Sequence, residues 1–127
     1  MSLKELLSLA LRCEQANGSD RDLDVAIARS MGWEVVLYRR DGKPYYEPIK
    51  GYSWQLVPAY SGSLDKAVAL APEGCDWHLM SDGSCSMGNG TGARFASLGC
   101  ETPALALCAA SLRARAQTPE QLKGEGR

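Results

Sequence analysis

One stretch decides the fold of this chain: Thr102-Pro103-Ala104-Leu105-Ala106-Leu107-Cys108-Ala109-Ala110-Ser111-Leu112-Arg113-Ala114-Arg115. Thr102 can cap a helix whose first residue is Pro103, and the nine residues after the proline carry no charge. A helix that is apolar on nearly every side must be covered on nearly every side. The sequence therefore predicts a buried terminal helix, with the rest of the chain packed around it.

Length and composition indicate one soluble domain. The chain has 127 residues, of which 45% are hydrophobic and 23% are charged, as is typical of a domain that buries its own core. The net charge of −1 gives no bulk attraction to nucleic acid or to an acidic membrane. The sequence shows neither a signal-peptide pattern nor a run of membrane-spanning length. We therefore expect a cytoplasmic protein without a membrane partner, and the charge disfavours nucleic acid as a partner.

Three further helices are predicted. A capping box at residues 2–5 starts a helix that ends near Glu14. Asn17-Gly18 breaks this helix, and Ser19 starts a second one that Gly32 closes. A third helix follows the candidate caps Ser61 and Ser63, and its predicted buried stripe consists of Leu64, Ala67, Val68 and Ala71.

Strands are predicted between the helices. The segment Trp33–Tyr38 is rich in β-branched and aromatic residues, and the Asp41-Gly42 pair after it is a hairpin signal. A two-residue loop at this pair places Leu37 opposite Tyr46. Because Pro44 has no N–H to donate, this register predicts that the return strand is an edge of the sheet.

The second half of the chain predicts two more strands. Trp54 and Leu56 precede them and are predicted to point inward. Residues 75–80 alternate in polarity, which is typical of a strand with one covered face, and residues 93–98 form the returning strand. The segment between them, residues 81–92, is rich in glycine and serine and is predicted to be a loop.

The order of these elements predicts a small α+β domain. We expect a three-layer α/β/α sandwich, in which one small, mainly antiparallel sheet has helices on both faces. The domain is predicted to span residues 1–116. The polar residues 117–127 are predicted to form a flexible C-terminal tail.

Four blocks of sequence lie in order within residues 3–115. They are Asp22-x-Asp24-x-Ala26-Ile27-Ala28 with Gly32-Trp33; Pro58-x-Tyr60-Ser61-x-Ser63-Leu64-Asp65-x-Ala67 with Pro72-Glu73-Gly74; Trp77-x-Leu79; and the stretch from Thr102 to Ala110. Together they resemble the phage ABA sandwich domain, a family of small proteins from bacteriophages and prophages. The resemblance implies an α/β/α sandwich and a phage or prophage source. It implies no biochemical activity and supplies no catalytic residues.

Cations and aromatic rings alternate in and after the first hairpin. The candidate binding residues there are Arg39, Arg40, Tyr45, Tyr46, Tyr52 and Trp54. Such a set suits a protein interface, where these residue types are enriched. It also suits nucleobases and single strands, and it can simply protect a sheet edge. We expect edge protection and protein contact ahead of a nucleotide contact.

The glycine-rich segment Gly88–Gly92 is the second candidate region, with Cys85, Asn89 and Thr91 as its candidate residues. Glycines let backbone N–H groups approach an anion, but a phosphate loop is followed by a helix. Here a strand follows and no lysine ends the loop, which favours a plain hairpin loop. Cys85 is predicted to be exposed and reactive, although no histidine partner is evident.

The only histidine, His78, could join Asp82 in a metal site or in general-base catalysis. One histidine without a second nitrogen or paired thiolates is a poor metal set, so we expect an exposed strand histidine, no metal and no cofactor. The five cysteines are odd in number and lack CxxC spacing, which is typical of reduced thiols. Two of them, Cys13 and Cys108, lie on apolar helix faces.

These observations predict a binding protein rather than an enzyme. We expect a phage- or prophage-encoded accessory protein that binds a host or phage protein, with homo-oligomerisation as a further possibility. The alternative is a protein that sequesters a nucleotide-like ligand with the hairpin and the Gly88–Gly92 segment. An enzyme that uses His78 or Cys85 is the least favoured hypothesis.

Overall fold

A computed structural model describes residues 3–37, 41–46, 54–88, 94–97 and 99–125. The helices and strands of these residues are α1 (Leu3–Gln15), α2 (Arg21–Ser30), β1 (Val35–Leu37), β2 (Pro44–Tyr46), β3 (Gln55–Leu56), α3 (Leu64–Val68), β4 (Asp76–Leu79), β5 (Cys85–Gly88), β6 (Arg94–Ser97) and α4 (Pro103–Glu125).

Helix α4 lies at the centre of the fold. Thr102 caps it by accepting a hydrogen bond from the Leu105 N–H at 3.1 Å. Every residue from Ala104 to Leu112 is buried, because α1, α3 and the strands β5 and β6 all pack against this helix. The predicted buried terminal helix is confirmed. Its backbone remains helical to Glu125, beyond the boundary at residue 116 where the sequence places the start of a tail.

The strands form two antiparallel sheets within the described residues. Their strand orders are β1-β2-β3 and β4-β5-β6. The predicted α+β class, with antiparallel strands and helices packed against them, is confirmed. The single sheet of the prediction is replaced by two, because the connection between them contains α3, which packs on α4. Helix α4 covers the second sheet, and the first sheet lies beside α2.

The first hairpin is shifted by two residues from its predicted register. Tyr46 pairs with Val35 rather than with Leu37, and the described pairing ends where Leu37 lies opposite Pro44, at the loop between the two strands. Within this loop the Asp41 carboxylate accepts a hydrogen bond from the Lys43 N–H at 2.9 Å. This side-chain turn holds Asp41 and Lys43 outside the strand, and β2 begins at Pro44.

The return strand β2 is the middle strand of its sheet, and the predicted edge position is wrong. Strand β3 pairs along its other side, and the Pro44 carbonyl accepts a hydrogen bond from the Val57 N–H at 3.0 Å. The donor that proline lacks is supplied by Arg21, whose Nη2 donates to the Val57 carbonyl at 2.8 Å. A side chain from α2 thus satisfies the backbone group that Pro44 leaves without a partner.

The other helices follow the sequence with local corrections. Asp20, not Ser19, caps α2, because its carboxylate accepts hydrogen bonds from the N–H groups of Asp22 and Leu23. Gly32 ends this helix with a φ of 91°, as predicted.

Helix α3 is shorter than the predicted stripe requires. It has five residues and begins after Ser63, one of the two candidate caps. Ala67 is buried, whereas Leu64 and Val68 are exposed. Leu70, which follows the helix, is fully buried instead, because the chain leaves the helical path before a second turn can carry Ala71 inward.

The predicted loop at residues 81–92 contains strand β5, which pairs with β4 on one side and β6 on the other. The turn before it is tight, since the Gly83 N–H donates to the Met80 carbonyl at 3.1 Å and Gly83 has a φ of 87°. The Asp82 carboxylate accepts the Ser84 N–H at 3.0 Å. The glycine and serine content therefore marks a short turn and a strand of small residues rather than one long loop.

Candidate functional site

One face of the first sheet carries a row of apolar side chains at the protein surface. Val36, Tyr45 and Leu56 lie directly opposite one another across the three strands, and opposite residues share one face of a sheet. Val36 is 42% exposed and Leu56 is 47% exposed, while Tyr45 is half-buried. Trp54, two residues before Leu56, is 44% exposed. We call these four residues the outer face.

The reverse side of the sheet anchors it to the protein. Val35 is buried, and the Tyr46 ring meets the Trp33 ring edge-on, with centroids 5.3 Å apart and planes at 69°. The Trp33 N–H donates to the Ala28 carbonyl at the end of α2 at 3.2 Å. Because alternate residues of a strand point to opposite faces, this anchoring turns Val36 outward.

The loop before β2 fixes the Tyr45 side chain. Asp41 accepts hydrogen bonds from the Lys43 N–H at 2.9 Å and from the Tyr45 hydroxyl at 2.8 Å. The Lys43 N–H is the main cause that lowers the pKa of the Asp41 carboxyl, and the Tyr45 hydroxyl lowers it further. The tyrosine ring is therefore tethered at its tip.

A polar cluster, which we call the Asp24 clamp, joins α2 to the segment that follows β3. Asp24 is fully buried. Its Oδ1 accepts hydrogen bonds from the Ser61 N–H at 2.8 Å and from the Ser61 hydroxyl at 2.7 Å, and its Oδ2 accepts one from Arg21 Nη1 at 2.7 Å. The Asp20 N–H donates to the Ser61 hydroxyl at 2.8 Å. Both oxygens of the buried carboxylate thus have charge-assisted partners.

Sequence reasoning missed the Asp24 clamp. The sequence predicts Asp24 to be a favourable charge near the start of a helix, and Ser61 to be a candidate cap for the next helix. Both residues lie in the sequence blocks quoted above, where their residue types indicated caps and charges rather than a buried contact. The structure gives these two positions a role in packing.

A shallow groove runs beside the outer face. It is lined by Arg21, Gly42, Lys43, Pro44, Leu56, Val57 and Ala59. Arg21 is already engaged by the Asp24 carboxylate and the Val57 carbonyl, so Lys43 is the lining cation that the clamp does not hold. The floor is otherwise apolar.

The structure brings some of the predicted binding residues to this region. Tyr45 and Trp54 belong to the outer face, whereas Tyr46 packs on the reverse side against Trp33. The remaining three, Arg39, Arg40 and Tyr52, lie outside the described residues.

Trp54 and Leu56 do not point inward as predicted. The residue that does so is Val57, which is buried. Neighbouring residues of an extended chain point to opposite sides, so burying Val57 turns Leu56 to the surface. The prediction is therefore wrong by one position in the alternation.

The second candidate region differs from its prediction. Cys85 is buried on β5, and its N–H donates to the Ser97 hydroxyl at 3.0 Å. The predicted exposed thiol is wrong, because the surrounding residues form a paired strand rather than a loop. Asn89 and Thr91 lie outside the described residues.

His78 and Asp82 do not form a shared site. His78 is exposed on β4, as predicted, and its Nε2 lies 3.7 Å from the Asp76 carboxylate. The Asp82 carboxylate instead accepts hydrogen bonds from the Ser84 hydroxyl and N–H. Across the described ranges, no group of three or more His, Cys, Asp or Glu side chains is arranged to hold a metal ion.

No protein-family model matches this chain, and no curated protein or solved structure shows significant similarity to it. In the described part of the chain, no helix combines the length and the apolar character needed to span a membrane. What the site can do must therefore follow from its side chains. Exposed apolar and aromatic groups on an anchored sheet interact with other molecules by burying surface, not by reacting.

All five cysteines lie in the described residues, and no disulfide joins any of them. Cys13 of α1 and Cys108 of α4 are buried, and the Cys108 thiol donates to the Tyr60 carbonyl at 3.3 Å. Contact with the Cys13 thiol, together with burial, raises the pKa of Cys108. Burial also raises the pKa of Cys100, to about 11.

We expect Cys100 of the folded protein to react slowly with iodoacetamide. The thiolate is the reactive form, so raising the pKa from 9.0 to about 11 lowers the reactive fraction at pH 8 about 100-fold. Peptide mass spectrometry should show an alkylation rate that rises with pH without a plateau up to about pH 10. The guanidinium-unfolded protein is the control, and equal rates in the folded and unfolded states would contradict the prediction.

Proposed function

We propose that this protein is a small phage- or prophage-encoded accessory protein that acts in the host cytoplasm by binding another protein through its outer face. The observation that supports this proposal is the uncovered apolar row of Val36, Tyr45 and Leu56, with Trp54 beside it. The phage or prophage source rests on the four sequence blocks that resemble the ABA sandwich domain.

The shape of the outer face favours a protein partner over a nucleotide-like ligand. Small-molecule sites enclose their ligand and orient it with convergent polar groups. The outer face is one side of a three-stranded sheet, and the Tyr45 hydroxyl is already bonded to Asp41. Protein interfaces place aromatic and aliphatic anchors on such surfaces.

Replacing both Trp54 and Leu56 by alanine is expected to weaken partner binding at least about tenfold. Both side chains are exposed, so the melting temperature should change little. Tagged wild type and variant would be used to capture proteins from lysates of infected host cells, with quantitative mass spectrometry of the recovered proteins. Isothermal titration calorimetry against the purified partner would then give the ratio of dissociation constants.

A matched control removes apolar surface from another part of the molecule. Leu64 and Val68 of α3 are 37% and 40% exposed, so their double alanine variant should retain full binding. Binding that survives in the Trp54/Leu56 variant, or that is lost equally in both variants, would contradict the proposal. A nucleotide-like molecule that copurifies with wild type but not with the Trp54/Leu56 variant would favour the alternative function.

A further inference from the structure

The outer edge of β1 carries backbone groups that point away from the sheet. The Pro44 carbonyl accepts a hydrogen bond from the residue after β3, so the backbone groups of Pro44 face β3. Successive residues of a strand direct these groups to opposite sides. Tyr45 therefore faces β1, where it lies opposite Val36. It follows that Val35 and Leu37 direct their N–H and C=O groups outward.

Nothing in the described part of the chain covers this edge with hydrogen bonds. The backbone bonds outside the regular elements include none to Val35 or Leu37. The three residues of β1 are apolar and contain neither a charge nor a proline. Charged side chains and prolines are two of the devices by which proteins prevent an edge strand from pairing with another chain, and β1 relies on neither.

The edges of the second sheet have such protection. On β6, the Ala96 carbonyl accepts a hydrogen bond from Arg113 Nη1 at 2.9 Å, and Arg113 is itself bonded to both carboxylate oxygens of Glu14. On β4, Asp76 and His78 place polar groups along the exposed side of the strand. Strand β1 has no comparable polar protection among the described residues, which favours its pairing with another strand.

We propose that β1 pairs antiparallel with β1 of a second copy of this chain, about a two-fold axis at Val36, to form a six-stranded sheet. In this register Val35 of each copy exchanges hydrogen bonds with Leu37 of the other, so every outward group of β1 gains a partner. The two outer faces join into one apolar surface. This inference extends the proposed function, because the joined surface is the one offered to the partner protein.

A second copy fits this edge better than an unrelated strand does. A two-fold pairing satisfies both edges at once and closes the assembly, so that no β1 edge remains open to further chains. Val36, exposed in the single chain, contacts its own counterpart across the axis. The exposed Glu34 does not lie opposite its counterpart in this register, so like charges are kept apart.

Sedimentation equilibrium of the full chain between about 1 and 200 µM tests the pairing, because dimers of moderate affinity dissociate within this range. Wild type is expected to show a monomer–dimer equilibrium. Val36→Lys places two ammonium groups against each other and is expected to raise the dissociation constant about 100-fold. Val36→Thr keeps a β-branched, neutral side chain and should remain dimeric. Because Val36 is exposed, both variants should melt near the wild-type temperature at concentrations low enough for wild type to be monomeric.

A measurement on wild type gives a second, independent test. Hydrogen exchange of the Val35 and Leu37 amides should slow as the protein concentration rises, since the dimer gives these amides an acceptor that no described residue of the single chain supplies. Wild type that stays monomeric at about 200 µM would overturn the inference. So would a dimer that Val36→Lys leaves unchanged, or one in which both amides exchange at the monomer rate. Partner capture by the Trp54/Leu56 variant is scored separately, so a failed dimer leaves the proposed function testable.

Discussion

The Asp24→Ala variant is expected to unfold with a free energy about 3 kcal/mol below that of wild type. The change leaves the buried Ser61 N–H without an acceptor, and a buried unsatisfied donor costs about 1–3 kcal/mol. The Ser61 hydroxyl loses its bond to the carboxylate but keeps the Asp20 carbonyl as an acceptor at 3.1 Å, so its loss is the smaller one. Arg21 also loses its carboxylate partner but keeps its hydrogen bond to the Val57 carbonyl. Because its side chain is about half exposed, water can solvate the guanidinium, and this loss adds little.

Urea unfolding followed by circular dichroism measures this loss of stability. Two further variants show how much of it comes from the individual contacts. Ser61→Ala retains the Asp24–Arg21 pair and is expected to cost about 1–2 kcal/mol. Asp22→Ala is the matched control, since Asp22 lies in the same helical turn but is exposed, and its loss should stay below about 1 kcal/mol. Equal stability of Asp24→Ala and Asp22→Ala would show that the clamp does not hold α2 to the first sheet.

The burial of α4 at the centre of the fold could be predicted because its uncharged sequence is compatible with only one environment, the protein interior. Nine uncharged residues after Pro103 cannot face water at helical spacing, and the helix they form is buried throughout. The alternation that begins at Asp76 is equally direct, and Trp77 and Leu79 are the half-buried residues of β4. In both cases the signal lies within the element itself.

The first sheet could not be predicted in the same way, because its arrangement depends on distant partners. Pro44 indicates an edge strand unless another group supplies the missing donor. That group is Arg21, 36 residues from the Val57 carbonyl that it bonds. No pattern within the hairpin sequence predicts this contact. The register likewise differs from the one that the Asp41-Gly42 pair predicts.

The candidate site escaped prediction for a different reason. Buried and exposed apolar residues look alike in a single sequence, and burial is the default expectation for tryptophan and leucine near a strand. Trp54 and Leu56 are exposed against this expectation, and their exposure follows from the burial of Val57, which the sequence does not indicate. Exposure that contradicts the hydrophobic pattern is also what makes the outer face a candidate for binding.

The Leu107→Ala variant is expected to show the largest loss of stability, about 3–5 kcal/mol. Leu107 is completely buried in α4, where helices and a sheet pack on the same helix and so limit how far the neighbours can move into the space left by the side chain. Most of the lost contacts are therefore not replaced. Thermal and urea unfolding of the purified variant measure the loss.

Leu7→Ala makes the same chemical change on the surface of α1, where the leucine is 42% exposed. Since part of that side chain already contacts water, the expected loss is below about 1 kcal/mol. The difference between the two stability losses measures how much the burial of Leu107 contributes, because the chemical change from leucine to alanine is the same in both variants. Similar losses at both positions would mean that α4 is packed as loosely as a surface helix, and the burial of its uncharged segment would then not be what holds this fold together.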